Sequence, residues 1–489
     1  MLLALAPSFT AYADFALDVL NWLYVVSIVA AIIVIIGENR NPVKSLAWVT
    51  VLILLPIVGL VLYIFFGRSI KGLRLISRKN RQKLTAAARP RHAHLGVNAE
   101  QLPLSDESRQ QIRLVNHLTS AQYFTGNDIQ VFTSGRDKFD TLKRDLEAAT
   151  DHIHLQYYIY ENDRIGREIR DILIRKAHEG VKVRVMYDHV GSFTIDAAFF
   201  KRMRREGIEA HPFLKITLTK LANRLNWRNH RKVVVIDGRI GYIGGMNIAD
   251  RYVTGDKHRP AWRDTHLRIT GPAVAALQYS FAVDWNYMSR TLLAETMPTV
   301  GDYDTQATEG VQIVPSGPTD QWSNISMVFI KAITLAKHTV LIQTPYFLPS
   351  DALLKALQSA ALAGVDVRLM MPRNPDSRLL RLASGSYIKE CLLAGIKVYF
   401  YEPTMLHSKL VLIDDEFVTT GSTNFDFRSF EHNFECNALI YSREFNKKMR
   451  AIFAADQRQC TRIILSHWRR RPLVTKAFES LARLLSPIL

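Results

Sequence analysis

The sequence predicts an α/β fold of two pseudo-symmetric lobes. Each is a mixed sheet flanked by helices, the two share one active-site cleft, and an N-terminal transmembrane helical hairpin precedes them. Three observations predict this: two long uncharged runs near the start, a strand-and-helix plan that occurs twice afterwards, and a polar motif at the same place in both copies. The implied divisions are 1–70 for the hairpin, 71–125 for a basic juxtamembrane linker, 126–300 for the first lobe, and 301–489 for the second, which closes on an amphipathic helix.

Size and charge set the outer limits. A chain of 489 residues suffices for two or three domains. The excess of 63 Lys+Arg over 45 Asp+Glu gives a formal net charge of +18, which suits a polyanionic partner, either nucleic acid or an anionic membrane surface. Cys391, Cys436 and Cys460 show no CxxC or ligand-like spacing, so neither a disulfide framework nor a cysteine-rich metal site is expected.

The hairpin comes first along the chain. Val19–Ile36 (VLNWLYVVSIVAAIIVII) and Leu46–Phe66 (LAWVTVLILLPIVGLVLYIFF) carry no charge, and each approaches the roughly 20 residues that cross a bilayer. A cleaved signal peptide is the rival for the first run, but the opening MLLALAPSFTAYADF has no positive charge. Pro56 can kink the second run, which keeps a re-entrant hairpin in view. Residues 1–39 contain no Lys or Arg, the connection GENRNPVK contains Arg40 and Lys44, and the exit contains Arg68, Lys71, Arg74, Arg78, Lys79, Arg81 and Lys83. The positive-inside rule then puts the bulk of the protein in the cytoplasm. The same basic arm can lie against anionic headgroups, each cation contributing about 1 kcal/mol near the surface.

Beyond the linker one plan appears twice. Strand-like HIHLQYYIY (His152–Tyr160) corresponds to TVLIQTPYF (Thr339–Phe347), GVKVRVM at Gly180 to GVDVRLM at Gly364, and EGIEAHPF to AGIKVYFY. Apolar runs alternating with amphipathic helical windows indicate βαβ units, hence one α/β lobe per copy. Each copy then reaches a strand with a polar mouth. NHRKVVVIDG gives His230, Lys232 and Asp237, and LHSKLVLIDD gives His407, Lys409 and Asp414 at the same H-x-K-x4-D spacing. GGMN and GSTN follow, so that Asn247 and Asn424 each stand 17 residues beyond their histidine. A repeat kept only for its core would preserve the apolar pattern and let these polar positions drift.

Alternation along a strand puts His230 with Lys232, and His407 with Lys409, on one face. Two such strands meeting in one cleft supply two imidazoles and two ammonium groups around a single anionic centre, which is a phosphoryl-transfer arrangement. One neutral histidine can attack phosphorus while the other, protonated, gives its proton to the departing alcohol. Lys232, Lys409, Asn247 and Asn424 can donate to the non-bridging oxygens. This chemistry asks for no metal and no cofactor.

The paired HxKxxxxD motifs with GGxN and GSxN behind them resemble the phospholipase D superfamily. Within it, the hairpin, WRDTH (Trp262–His266), TPYF (Thr344–Phe347) and the ending RLLSPIL (Arg483–Leu489) resemble bacterial membrane-anchored cardiolipin synthases over nearly the whole chain. The resemblance implies a phosphohistidine intermediate: one phosphatidylglycerol gives its phosphatidyl group to His230 and releases glycerol, and a second resolves the intermediate into cardiolipin. Assigning the attack to His230 follows the commoner family pattern, and the sequence leaves His407 open. Asp264 in WRDTH and Glu435 in HNFEC match family positions that hold the two histidines through the second ring nitrogen. Asp237 and Asp414 complete the motif, although strand ends beside turns suit loop fixing better. The implied partners are phosphatidylglycerol, cardiolipin and an anionic membrane surface, with no nucleic acid and with a homo-oligomer left open. The implied location is the bacterial inner (cytoplasmic) membrane, multi-pass, with the lobes facing the cytoplasm.

Two further segments suit lipid. LKITLTKLANRLNWRNHRK interleaves Lys215, Lys220 and Arg224 with Leu218, Leu221, Leu225 and Trp227, fitting the headgroup level as well as it fits a solvated helix. Behind Arg469–Arg471, the C-terminal stretch aligns Leu473, Val474, Ala477, Phe478, Leu481, Leu484 and Leu485, a face that ordinarily docks on a protein's own core. Among rival readings, a phospholipase D-type nuclease has no use for two membrane runs, and a silent scaffold would be free to lose His or Lys from one copy. A hydrolase or another phosphatidyltransferase differs from the synthase only in the acceptor.

Overall fold

The computed structural model of the chain describes residues 9–38, 42–67, 71–72, 74–88, 99–119, 121–215, 226–255, 259–296 and 307–486. They fall into an N-terminal unit that ends at Ser69, with 216–226, and a body of Ile70–Lys215 and Trp227–Leu489.

In the N-terminal unit, Phe9–Glu38 is one helix of 30 residues. Its stretch Asp14–Gly37, 24 residues of mean hydropathy 2.7, is the one helix among the described residues long and apolar enough to cross a membrane. At about 1.5 Å per residue it outreaches the roughly 30 Å of a hydrocarbon core. The second run, Leu46–Phe66, is broken where the sequence offered a kink at Pro56. Its helix Pro42–Leu54 stops at Leu55, whose φ of −130° is not helical, and restarts as Pro56–Leu62. A proline at position 56 has no N–H to donate to the helical ladder. Gly59 permits the close passage that results, since a Cβ there would stand 2.7 Å from the Val51 carbonyl oxygen. The hairpin is therefore seen whole in its first helix and only in part in its second.

The body is built on one mixed sheet. The first copy supplies β1 (Phe124–Phe132), β2 (His152–Tyr157), β3 (Lys182–Asp188), β4 (Glu209–Phe213), β5 (Arg228–Asn229), β6 (Val233–Ile236), β7 (Ile240–Gly244) and β8 (His266–Thr270). From the second come β9 (Glu309–Ser316), β10 (Thr339–Gln343), β12 (Asp366–Pro372), β13 (Lys397–Tyr401), β14 (Leu410–Ile413), β15 (Phe417–Gly421), β17 (Asn433–Tyr441) and β18 (Cys460–Arg462), while β11 (Phe347–Leu348) and β16 (Phe425–Asp426) pair in a separate two-stranded sheet. The strand order is β18-β13-β12-β10-β14-β15-β17-β9-β1-β8-β7-β6-β2-β3-β4, so the two lobes run outward from the antiparallel β1–β9 pair as near mirror sequences of strands. In each lobe a parallel trio, β2–β3–β4 or β10–β12–β13, is joined by crossover helices, and an antiparallel set continues it. The crossover helices begin on side-chain caps, Asp163 accepting from the Gly166 N–H and Ser350 and Ser377 from the N–H groups of Leu353 and Leu380.

Period-2 alternation explains why the motif strands are rigid. On β6, Val234 and Ile236 enter the first lobe's core while Val233 and Val235 enter a second cluster. On β14, Val411 and Ile413 enter the core of the second lobe, and Leu410 and Leu412 join that same second cluster. Both motif strands are thus buried on both faces, in a core the lobes share. Each such aliphatic side chain contributes on the order of 1.5–3 kcal/mol.

Residues 71–125, expected as a linker, carry two helices of the body. Arg78–Ala88 sets Leu84 among Phe281, Trp285 and Leu293 and keeps Arg78, Lys79, Arg81 and Lys83 exposed. Asp106–Thr119 buries Ile112 and Val115 with Val328 and Phe329. The C-terminal helix Leu473–Leu484 reverses the expected docking: its buried residues are Glu479 and Ala482, and its apolar stripe faces outward. Of the basic, apolar segment before His230, residues 216–225 lie outside the described residues.

Candidate active site

Each motif histidine is built on one lobe and fastened to the other. After β5, which pairs in parallel with β17 (Asn229 opposite Phe434), the His230 N–H donates to the Phe434 carbonyl at 2.9 Å. Its Nδ1 lies 3.0 and 3.1 Å from the two carboxylate oxygens of the next residue, Glu435. The second copy repeats this in reverse: the His407 N–H donates to the Arg263 carbonyl at 2.7 Å, and Nδ1 lies 2.7 Å from the next residue, Asp264. An ionised carboxylate can only accept, so Nδ1 carries the proton in both rings and Nε2 keeps its lone pair. Each ring also packs on an aromatic ring, His230 edge-on with Tyr158 at 4.9 Å between centroids and His407 tilted on Trp262 at 5.4 Å.

The lysines arch back over the strand. Lys232 Nζ donates to the His230 carbonyl at 2.5 Å and lies 5.2 Å over the Tyr158 ring. Lys409 Nζ donates to the His407 carbonyl at 2.5 Å and lies 2.9 and 3.2 Å from that histidine's two ring nitrogens. Both lysines are buried, and each ammonium retains hydrogens for an anion between them.

The GGMN and GSTN turns bring the carboxylates to the rings, and they differ where it matters. Gly245 and Ser422 occupy matched positions, their N–H groups donating to the carbonyls of Thr265 and Cys436, each the residue after a carboxylate. A Cβ at Gly245 would stand 2.6 Å from Asp264 Oδ2, so glycine makes room for the shorter acid. Ser422 instead donates its hydroxyl to Glu435 in a short hydrogen bond. The electrostatics follow. Burial raises the Asp264 pKa to about 6 despite Lys409 and the Thr265 N–H. Burial also acts on Glu435, but His230, Lys232 and the Ser422 hydroxyl more than offset it and hold that carboxyl below its usual value. Burial, opposed by Glu435 and reinforced by Lys232, takes His230 down to about 4. His407 is pushed well below its ordinary value by burial and by Lys409. Burial likewise depresses Lys232 strongly and brings Lys409 to about 8.

The remaining residues expected at the site separate from this centre. Asp237 and Asp414 do not touch the histidines: at the far ends of β6 and β14 they fix loops. Asp237 accepts from the N–H groups of Thr150, Asp151 and His152 at 2.8–2.9 Å, and Asp414 from Lys337, His338 and Thr339 at 2.8–2.9 Å. As members of a catalytic set these two aspartates are corrected to structural anchors. Asn247 is spent on structure, its Oδ1 accepting from the Ile159 N–H at 3.1 Å and its Nδ2 donating to Tyr252 Oη at 3.1 Å. Asn424 is buried, its side chain hydrogen-bonding Asp426, and its Oδ1, which can only accept, has no partner.

Sequence reasoning missed the supports beneath. Arg231 donates to the Glu435 carbonyl at 3.0 Å and pairs with buried Asp284 at 2.5 Å, which also accepts from Gln156. Beneath His407, Arg263 of the first lobe reaches across to Asp456 of the second at 2.7 Å, and Asp456 accepts from Gln343. The two glutamines were visible as the shared Q of HIHLQ and TVLIQ, whereas Asp284 and Asp456 lie on helices with no motif around them. Among the described residues no cluster of ligating side chains suits a metal ion.

A doubled α/β body with two His-Lys pairs converging across its joint defines a phosphoryl-transfer enzyme of the phospholipase D class. A family model described as cardiolipin synthase, PLD-like domain, matches residues 142–276 and 329–457, and one described as phospholipase D-nuclease N-terminal matches residues 25–68. The major cardiolipin synthase ClsA of Bacillus subtilis is 40% identical over 475 residues, 96% of this chain and 98% of that protein. A cardiolipin synthase of Listeria monocytogenes is 37% identical over the same shares. The chain belongs to the cardiolipin synthase family of the phospholipase D superfamily. Among solved structures, phosphatidylserine synthase of Haemophilus influenzae has the same fold, with a TM-score of 0.59 at 14% identity over 77% of this chain and 99% of that one.

Proposed function

We propose that this phosphatidyltransferase makes cardiolipin from two molecules of phosphatidylglycerol, through a phosphatidyl group held on His230. Neutral His230 Nε2 attacks phosphorus, and the bond to the headgroup glycerol oxygen breaks. Protonated His407 gives that oxygen its proton, and glycerol leaves. The terminal hydroxyl of a second phosphatidylglycerol then passes its proton to His407 while its oxygen attacks phosphorus, breaking the P–N bond and freeing His230. The carrying observation is the reciprocal clamp, each ring held by the opposite lobe, and its asymmetry favours His230 as the nucleophile. Fully ionised Glu435 strengthens the base, whereas Asp264, near its own pKa, shares a proton with the histidine that must act as acid. The bound phosphodiester anion favours the charged form of His407. Lys232 and Lys409 donate to the non-bridging oxygens.

The membrane run Asp14–Gly37, with the broken second run behind it, supports a two-pass anchor, and the basic stretch Arg78–Lys83 at its exit supports lobes that face the cytoplasm. Incubation in phosphatidylglycerol vesicles without added metal is expected to yield cardiolipin and free glycerol. Phosphatidic acid as sole product, or loss of turnover with a chelator, refutes the reading. His230→Ala and His407→Ala are each expected to abolish turnover, and labelled phosphatidyl trapped on the His407→Ala chain alone assigns the attack to His230.

A further inference from the structure

An apolar stripe on a surface helix normally turns toward the core. On Leu473–Leu484 it turns away: Leu473, Phe478, Leu481 and Leu484 are 80%, 56%, 59% and 76% exposed, while Glu479 and Ala482 face the body. What holds the helix is polar or small. Arg471 pairs with both oxygens of Glu479, Arg483 pairs with Glu390 and stacks on the Tyr387 ring at 4.3 Å, and Gly385 leaves room for the acid, since a Cβ there would stand 2.6 Å from Glu479 Oε1. The helix cannot roll its stripe inward without breaking both ion pairs. Exposed Arg469 and Arg470 stand at its N-terminal end.

We infer that this helix lies in the plane of an anionic lipid surface, with Leu473, Phe478, Leu481 and Leu484 below the headgroups and Arg469 and Arg470 among them. Contiguous exposed apolar surface beside clustered arginines is the signature of an interfacial helix. The chain's formal charge of +18 complements such a surface, and its membrane-crossing helix already tethers it to a bilayer. A second copy is the poorer occupant, because pairing two such stripes about a two-fold axis sets like-charged arginine clusters in one interface.

The test uses the full chain with Leu481→Cys in a Cys460→Ser background, Cys391 and Cys436 being buried, and an environment-sensitive fluorophore on the new thiol. In vesicles of phosphatidylglycerol and phosphatidylcholine the label is expected to shift to the blue and to be quenched by bromines on the upper acyl carbons. Adding Phe478→Glu and Leu484→Glu is expected to return it to an aqueous spectrum. A label quenched by aqueous iodide as fully in vesicles as in detergent overturns the inference. So does a blue shift that grows with protein concentration in detergent and ignores brominated lipid, which marks a second copy. Turnover gives an independent reading: without the label, the two glutamates are expected to lower it several-fold on bilayer phosphatidylglycerol and to leave it unchanged on a short-chain form dissolved below its micelle concentration. Equal losses on both substrates also overturn it. The fluorescence readout needs no catalysis, so it separates this inference from the proposed reaction.

Discussion

Gly245 and Ser422 set the two histidines apart. Ser422→Ala removes a hydrogen bond to a charged, buried acceptor, worth about 1.5–3 kcal/mol, so turnover is expected to fall about ten- to hundred-fold. Gly245→Ala drives a methyl group into the Asp264 carboxylate and is expected to cost more, with the protein still folded by circular dichroism. The pH profile of kcat/KM follows from the same residues. As pH falls through about 6, Asp264 takes up a proton and His407 loses its anionic partner; as pH rises through about 8, Lys409 loses its proton and the phosphate loses a cation. With His230 near 4 and neutral throughout, a bell with limbs near those values is expected on a short-chain substrate. A profile flat across both refutes the assignment. The paired His-Lys side chains, here proposed to react, were legible because polar residues recurred at fixed offsets, and Asp264 and Glu435 came with the family resemblance. Their crossed pairing was not legible, since spacing along a chain carries no information about which lobe a carboxylate will serve.

At the ends of β6 and β14, Asp237 and Asp414 adopt left-handed φ values of 51° and 47°, a region that aspartate tolerates better than most residues. Each gathers three backbone N–H groups that would otherwise lack partners. Asp237→Ala and Asp414→Ala are each expected to lower stability by about 2–4 kcal/mol in denaturant titration while activity per folded molecule stays within a few-fold. A loss of turnover without a loss of stability contradicts the anchoring role. The D of the motif thus fixes a loop at the strand end, which the sequence hinted at through its place beside a turn. The C-terminal helix was harder to read. Periodicity shows that an apolar face exists, but its direction depends on Arg471, Glu479 and Gly385, which no periodicity reveals.

Across the whole body, one sheet and one shared core bind the lobes. Leu412 is fully buried in that core alongside Val233 and Val235 of the other lobe. Leu412→Ala is expected to cost about 2–5 kcal/mol, and to speed amide exchange in β6 as much as in β14. Exchange that quickens in β14 alone shows two independent lobes. The doubled architecture was legible from the repeat, whereas the single sheet was not, because the β1–β9 joint is made by strands outside the repeated motifs.

That joint has a mechanical meaning. Because each histidine is tied by its main chain and its ring to the opposite lobe, the cleft cannot gape like a pair of jaws: parting the lobes by the length of one hydrogen bond disarms both rings at once. The body behaves as a vice set to a fixed width, whose two faces each carry the other's tightening screw.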